Sequence, residues 1–216
     1  MVRRYRSATT LAALAAATLL VTACGGDDSA SSDDKIEGAG KSSPAEPSPA
    51  PPSSDGPEIE LPKSVQLVFE GWESDDAEEQ ALLNSGAQSE RATYEAITRD
   101  PPNPDSEAVA YYHAKGTGAW TDTQKWIGDF KDANATVEGK VSFRSPVVEV
   151  HDSGLTGSLR YCADESEVKT VERGSGKVLS AAKPGDVVQY SLMLQKGDGD
   201  VWQVADVNGK RGSCDE

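Results

Sequence analysis

This chain of 216 residues has few of the side chains from which catalytic and metal sites are usually built. It contains two histidines, His113 and His151, three cysteines and 6% aromatic residues. Each histidine stands beside a predicted break in secondary structure, which favours a solvated or capping role. No nucleophile elbow, no His-Glu-x-x-His motif and no cofactor fingerprint occurs in the sequence. The sequence therefore predicts no catalytic residue, no metal and no cofactor, and it does not reveal a specific activity.

Two short segments come close to known ligand-binding motifs without completing them. "RGSGKVLS" around Lys177 resembles part of a phosphate-binding loop, but Val171 and Val178 stand where that loop needs Gly and Ser or Thr. The "DGD" at positions 198–200 lacks the further ligands and the closing Glu of a calcium loop. We therefore predict that both segments are turns.

Basic residues are scarce in this chain. It has 21 Lys and Arg against 36 Asp and Glu, which makes the formal net charge −15. No basic stripe interrupts the acidic surface, which argues against nucleic acid as a partner and against electrostatic docking on anionic lipid.

Long apolar runs are absent except for "ATTLAALAAATLLVTA" at positions 8–23. Three arginines precede this run, and as a helix it would span about 24 Å against a hydrocarbon core of about 30 Å. A basic start, a short apolar run and small residues before a cut are typical of a secretory signal peptide. We predict one at positions 1–23. A membrane span is the weaker alternative, because the residues that follow are acidic.

The apolar run ends in the four residues "VTAC" at positions 21–24. It resembles the lipobox of bacterial lipoproteins, in which an aliphatic residue and two small ones precede a cysteine. The resemblance implies cleavage between Ala23 and Cys24 and an acyl-bearing glyceryl group on the Cys24 thiol. Two or three acyl chains anchor a protein stably. We expect a lipid anchor in the cell membrane with the domain outside; an ordinary signal peptide with a chance cysteine is the alternative.

Positions 24–60 contain almost no large apolar side chains and are rich in Ser, Pro and Asp. Such a segment cannot bury enough surface to offset the entropy of ordering it. We predict a disordered tether with a reach of roughly 30–35 Å as a flexible coil. A polyproline ligand in "PSPAPP" is a weaker alternative. Positions 61–216 suit a single globular domain.

Lipidation of Cys24 would leave Cys162 and Cys214 as the remaining cysteines. Export to an oxidising compartment favours a disulfide between them. Closing a loop of about 50 residues would stabilise the fold by roughly 4 kcal/mol in the chain-entropy model. Two free thiols or a metal pair are the alternatives, although two cysteines are too few for a structural zinc site.

The secondary-structure signals of the domain change in character along the chain. Positions 64–72 predict a short strand, and positions 74–97 predict a helix capped by Ser74, with Gly86 as a weak point. "TRDPPNPDS" is a breaker before two further helical segments separated by "KGTG". After Asn134 come Val-, Tyr- and Thr-rich strands, the last two joined as a hairpin by "GDGD". Helices followed by an antiparallel sheet indicate an α+β domain.

Four short motifs are spread over nearly all of this domain. They are "VFEGW" at positions 68–72, Tyr94 with Ala96 and Ile97, "CAD" at positions 162–164, and "WQV" at positions 202–204 before Cys214. Together with the order of elements they resemble the nuclear-transport-factor-two-like fold of Gram-positive secreted lipoproteins. The resemblance implies helices packed in the concave face of a curved antiparallel sheet, as a cone. It also implies pairing of the two domain cysteines, and it is compatible with a homodimer formed through the sheet face.

Enzymes of the resembled group, ketosteroid-isomerase-like and polyketide-cyclase-like, use Asp, His or Tyr inside the cone. No such set aligns with this chain residue by residue. The candidate pocket residues are Tyr94, Tyr111, Trp120 and Asp164, accompanied by Tyr112 and Trp126. For the aromatic residues the alternative is a place in the core, and for Asp164 it is a turn or the support of the C-terminal segment.

Three functions stay open on the sequence alone. The favoured one is a non-catalytic module at the membrane surface that binds a small ligand or an envelope partner. The others are an isomerase- or cyclase-type enzyme with a pocket acid, and a structural envelope domain. An enzyme requires a solvent-open cavity with an acid or Tyr held in it, whereas a protein-binding module requires an exposed apolar patch or a free sheet face.

Overall fold

The computed structural model describes residues 56–214. The predicted signal peptide, the Cys24 anchor and most of the predicted tether lie outside the described residues. The elements in chain order are β1 (Val65–Phe69), α1 (Ala77–Thr98), α2 (Glu107–Tyr112), α3 (Gly118–Asp132), β2 (Ala135–Val150), β3 (Thr156–Asp164), β4 (Lys169–Glu172), β5 (Val178–Ala181), β6 (Val187–Lys196) and β7 (Trp202–Arg211). Helices precede the antiparallel strands, which confirms the predicted α+β class.

The strands form one sheet in the order β5-β4-β2-β3-β6-β7, with β1 added to β2. Neighbours in that order are antiparallel, whereas β1 runs parallel to β2. The 16-residue β2 pairs with β4 through its first part and with β3 through its later part. Its register shifts between Arg144 and Val147, where Ser145 has a φ of 54°. Such an irregularity bends a strand, and the sheet curls round the helices.

The helices pack in the concave face of this curled sheet, as predicted. Side chains alternate along each strand, so that one face of the sheet points at the helices. The largest fully buried side chains of that interior come from all three helices and from four strands: Leu82, Leu83, Ile97, Val109, Tyr112, Ile127, Val141, Phe143, Leu159, Tyr161, Leu194 and Trp202. The architecture is therefore the expected cone-like one.

The start of α1 differs from the prediction. Asp76, and not Ser74, caps the helix, because its carboxylate accepts from the backbone N–H groups of Glu78 and Glu79 at 2.9 and 3.0 Å. The Ser74 hydroxyl instead donates to the Glu79 carboxylate at 2.7 Å. Both Ser and Asp are good cap residues, so the sequence pattern does not decide between them.

The predicted weak point at Gly86 does not interrupt α1, because the helix continues through this residue. A Cβ atom at this position would lie 2.5 Å from Cδ2 of Leu159. The glycine is therefore a place of close approach between α1 and β3, which a helix-propensity argument cannot detect.

The connecting segments agree with the predictions. The proline-rich breaker contains a cis peptide bond between Asp100 and Pro101. The two short helices that follow are capped by Ser106 and Thr117. The Lys177 segment forms the β4–β5 turn and start of β5, and residues 198–200 form a 3₁₀ turn between β6 and β7.

The predicted disulfide between Cys162 and Cys214 is present, with a Cα–Cα distance of 5.9 Å. It attaches the residues after β7 to β3. The Gly212 N–H donates to the Val187 carbonyl at 3.0 Å, and Nε2 of Gln189 donates to the Ser213 carbonyl at 3.2 Å. None of the helices within residues 56–214 has the length and apolarity needed to cross a membrane.

Candidate functional site

The four predicted pocket residues lie on four different elements. Tyr94 is buried on α1, whereas Tyr111 on α2 and Trp120 on α3 are half-buried. Asp164 ends β3, where its carboxylate accepts the Ser166 N–H at 3.0 Å. The bonds from Ser166 hold the pKa of Asp164 below its usual value.

None of these four residues lines either of the two cavities described next. The first is a shallow depression of about 450 Å³ at the end of α1, lined by Arg99, Asp100, Pro101, Pro102, Asn103 and Lys131. The second, of about 260 Å³, is more enclosed and lies between α3 and the edge of the sheet. We call this second cavity the α3 groove. Its lining residues are Trp126, Asp129, Phe130, Ala133, Ala135, Thr170, Leu179 and Ser180.

The α3 groove has one wall from a helix and one from strands. Trp126, Asp129, Phe130 and Ala133 recur three and four residues apart, which places them on one face of α3. The groove surface is mostly apolar, and its one carboxylate, Asp129, is paired with Lys125 at 2.9 Å. The groove therefore presents an apolar surface without an unpaired charge.

Aromatic contacts stabilise the helical wall of the groove. The Trp126 ring stands edge-on to Phe130 with a centroid distance of 5.8 Å, and edge-on to Tyr94 at 6.0 Å. Trp126 is nevertheless 36% exposed. At the opposite wall, Leu179 is 45% exposed. The side chains of Trp126 and Leu179 thus expose apolar surface to solvent at the groove rim.

A second notable group, which we call the acid–tyrosine cluster, lies at the concave face of the sheet. It consists of Glu90 and Tyr94 on α1, Tyr161 on β3, Tyr190 on β6, and Glu165 just after β3. The Tyr161 hydroxyl donates to the Glu90 carboxylate, and the Tyr190 hydroxyl donates to Oε1 of Glu165 at 3.0 Å. The Tyr161 and Tyr190 rings lie 5.6 Å apart.

Burial sets the protonation of this cluster. It raises the pKa of Glu90 to about 7; the Tyr161 hydrogen bond opposes the rise and the negative charge of Glu165 adds to it. Burial also raises the pKa values of the three tyrosines well above their usual value, with the two carboxylates contributing. The cluster therefore holds neutral phenols around one carboxyl group that can bind or release a proton near neutral pH.

The sequence analysis identified Tyr94 but missed Glu90, Tyr161, Glu165 and Tyr190. Glu90 lies four residues before Tyr94, so helical spacing alone puts the two on the same face of α1. That signal could have found Glu90. Nothing local indicates Tyr161 or Glu165 as neighbours, since the Tyr161–Glu90 contact joins residues 71 positions apart.

The two histidines differ in environment. His113 ends α2 as its C-cap residue, which agrees with a capping role, but it is buried and not solvated. Burial lowers its pKa to about 4, although a hydrogen bond with the Val109 carbonyl opposes this. His151 is half-buried in the β2–β3 connection, with Nδ1 3.1 Å from Oγ1 of Thr156. Residues 56–214 contain no group of three or more His, Cys, Asp or Glu placed to hold a metal ion.

No protein-family model and no curated protein matches this chain. Among solved structures it is similar to a ketosteroid isomerase-like protein from Erwinia carotovora atroseptica, with 15% identity, a TM-score of 0.42, and coverage of 64% of this chain and 99% of that one. A nuclear transport factor 2-like superfamily protein from Salmonella enterica serovar Typhimurium has 13% identity and a TM-score of 0.29, with coverage of 44% and 61%. A Catenulispora acidiphila protein has 16% identity and a TM-score of 0.32, with coverage of 62% and 87%.

The names of the first two, ketosteroid isomerase-like and nuclear transport factor 2-like, are those of the fold group that the sequence motifs resemble. All three TM-scores are below 0.5 and all three identities are below 25%. The similarities consequently carry no information on ligand, activity or assembly.

Proposed function

We propose that this chain is a membrane-anchored lipoprotein of the outer cell surface, and that its domain binds an envelope protein without catalysing a reaction. The α3 groove is the observation that carries the binding function. It joins an apolar cavity to a rim of exposed Trp126 and Leu179. Clustered exposed apolar side chains of this kind mark sites of protein association.

The open rim of the groove favours a protein over a small molecule. Small-ligand sites usually measure about 300–1,000 Å³ and bury most of the ligand. The α3 groove measures about 260 Å³, close to the lower end of that range, but its rim is open to solvent. An apolar side chain presented by a partner can fill such a groove.

Site-specific photocrosslinking in intact cells tests the binding function. A benzophenone amino acid replaces Leu179 at the groove, and in the matched control it replaces Leu155, which is 62% exposed in the β2–β3 connection. We expect a discrete crosslinked protein from position 179 that is absent from position 155. No adduct at position 179, or the same adducts at both positions, would argue against the groove as the binding site.

Detergent phase separation tests the anchor separately. We expect the full chain to enter the detergent phase, because two or three acyl chains bind a bilayer stably. The Cys24→Ala variant should move to the aqueous phase. If the two proteins partition alike, the lipid anchor at Cys24 is wrong, whatever the groove binds.

A second function, an isomerase- or cyclase-type enzyme, is favoured by the acid–tyrosine cluster. Glu90 combines a pKa near neutrality with a fixed hydrogen bond from Tyr161, which suits a general acid or base. Native mass spectrometry of the full chain tests it. A reproducible small-molecule adduct that disappears in Glu90→Gln would favour the enzyme, and a bare mass in both proteins would argue against it.

A further inference from the structure

We propose that the partner binds as an extended acidic strand that adds to the free edge of β5 and places an apolar side chain in the α3 groove. This inference rests on the proposed function, because it concerns the same groove. It specifies the conformation and the charge of the bound segment.

The first step of the argument is the free edge itself. β5 is the last strand in its sheet order, so its outer side pairs with no other strand in the part of the chain described. The Ala182 N–H donates to the Val168 carbonyl at 2.9 Å, and the Lys177 carbonyl accepts from Glu172 at 2.8 Å. Hydrogen-bonding direction alternates along an antiparallel strand, and the register shift between β4 and β5 at Thr170 and Val171 interrupts that alternation once. The backbone groups of Ala181 and Val178 therefore point away from β4.

The second step is the composition and exposure of this edge. Natural edge strands are guarded by Pro, by charged side chains, by short length, by bulges or by a covering segment. β5 is short and its pairing with β4 shifts register between Thr170 and Val171, but its four residues, "VLSA", contain neither Pro nor charge. At β7, by contrast, the Ala114 N–H donates to the Val204 carbonyl at 2.9 Å, so the α2–α3 connection covers part of that strand. Of the end strands β5 and β7, β5 is the one open to strand addition.

The third step is the position of the groove beside the edge. Leu179 and Ser180 of β5 line the α3 groove, opposite Trp126 and Phe130. A strand added to a sheet lies about 4.8 Å from its neighbour, and its alternate side chains point to one face. One side chain of an added strand can therefore enter the groove while its backbone pairs with β5. Main-chain bonds then supply affinity and the groove supplies specificity.

The fourth step is local charge. Residues 169–183, the β4–β5 hairpin, contain four basic residues and one acidic residue in a chain whose net charge is −15. Lys169 is paired with Glu138 at 2.9 Å, and the Arg173 guanidinium donates to backbone carbonyls. Lys177 and Lys183, which flank β5, form no ion pair within residues 56–214. This local positive charge complements an acidic segment.

Peptide selection on the full chain tests the proposal. The probe is a phage-displayed library of random dodecapeptides, from which an enriched peptide is synthesised and its Kd measured by fluorescence anisotropy. We expect enriched sequences that alternate apolar residues with Asp or Glu. Ala181→Pro removes the outward N–H and should weaken binding at least tenfold, whereas Ala181→Gly keeps that N–H and should bind within about threefold of wild type.

Two matched pairs test the other contacts. Leu179→Ser should weaken binding tenfold or more, and Leu155→Ser, at a distant exposed leucine, should not. Lys177→Glu should weaken binding and make it less sensitive to salt, while Lys210→Glu on β7 should leave it unchanged. In the wild-type chain, hydrogen exchange of the Ala181 amide should slow at least tenfold on peptide binding. This last measurement does not depend on the folding of any variant.

The outcomes separate the proposal from the proposed function. If Leu179→Ser weakens binding but Ala181→Pro and the exchange of the Ala181 amide show no effect, strand addition is wrong and groove binding stands. Enriched peptides without acidic residues would overturn the charge complementarity. If no peptide is enriched, or no variant affects binding, the proposal and the groove function both fail.

Discussion

Among single side chains, Glu90 and His113 show how folding displaces two pKa values in opposite directions. Glu90 has a pKa of about 7 in the fold, above its ordinary value of 4.5, while His113 has one of about 4, below its ordinary 6.5. Burial causes both shifts, because it disfavours the charged form of either group. The two groups therefore contribute opposite pH dependence to the free energy of unfolding.

The first prediction is that Glu90→Gln changes the pH dependence of stability. Between pH 4.5 and pH 7 the folded Glu90 keeps a proton that the unfolded chain has lost, so the free energy of unfolding falls as pH rises, by up to about 3 kcal/mol. For His113 the unfolded chain binds the extra proton between pH 4 and pH 6.5, so stability rises with pH there. In wild type these trends partly cancel. Urea unfolding of Glu90→Gln should show a clear rise in stability from pH 4.5 to pH 6.5.

His113→Gln serves as the reciprocal control for this measurement. It should retain the Glu90 contribution and lose stability as pH rises from 4.5 to 7. Equal slopes in Glu90→Gln and wild type would contradict the raised pKa of Glu90.

The second prediction concerns the hydrogen bond that Tyr161 donates to Glu90. This bond favours the charged carboxylate and so lowers the pKa of Glu90. Tyr161→Phe should therefore raise the pKa of Glu90 above 7, as followed by NMR titration of its carboxyl carbon. Tyr190→Phe is the matched control, because the Tyr190 hydroxyl donates to Glu165 instead. A pKa for Glu90 that falls or stays the same in Tyr161→Phe would contradict the assignment.

At the scale of elements, β2 is approached closely by the connection that leads into β4. Gly139 on β2 has a φ of 119°, and a Cβ atom there would lie 2.1 Å from the carbonyl oxygen of Glu167. Backbone conformation and steric contact both require glycine, because the obstructing atom belongs to the backbone and cannot rotate away. The junction of β2 with its neighbours therefore depends on this residue.

The third prediction is that Gly139→Ala destabilises the domain by about 2 kcal/mol or more, measured by urea unfolding. The control is Gly128→Ala, in the interior of α3, where an added Cβ meets nothing within 4 Å. Alanine has the higher helix propensity, so Gly128→Ala should stabilise the domain by roughly 0.5–1 kcal/mol. Equal effects of the two substitutions would contradict the close approach at Gly139.

Element types were predictable because local patterns determine them. The breaker before α2 and the β6–β7 turn both depend on residues within a few positions of one another. The position of the α1 cap and the role of Gly86 were not predictable in the same way. Gly86 is required by Leu159, a residue of a distant strand.

At the scale of the whole molecule, one disulfide links β3 to the end of the chain. Cys162 and Cys214 are 52 positions apart, so the bond restricts a large part of the unfolded chain. It also lies beside the hydrogen bonds of Gly212 and Ser213 to β6. The C-terminal residues are thus attached to the sheet both covalently and by backbone bonds.

The fourth prediction is that Cys162→Ser/Cys214→Ser lowers the stability of the domain by about 4 kcal/mol, the value of the chain-entropy model for a loop of this length. The melting temperature should fall by the order of 10 °C, and exchange of the Gly212 amide, which donates to the Val187 carbonyl, should accelerate. Cys24→Ser is the matched control and should leave the melting temperature unchanged. An unchanged melting temperature in the double variant would contradict a stabilising role for the bond.

The sequence by itself determined the acidic balance and the α+β order of elements, and it favoured a disulfide between the two domain cysteines, which the structure contains. It also predicts the signal peptide and the Cys24 anchor, which lie outside the described residues. These properties follow from composition or from neighbouring residues. The tertiary structure decided the two candidate sites, the acid–tyrosine cluster and the α3 groove. Glu90 meets Tyr161 across 71 positions, and the groove joins Trp126 to Leu179. The physical reason is that burial and proximity arise only when the sheet curls round the helices.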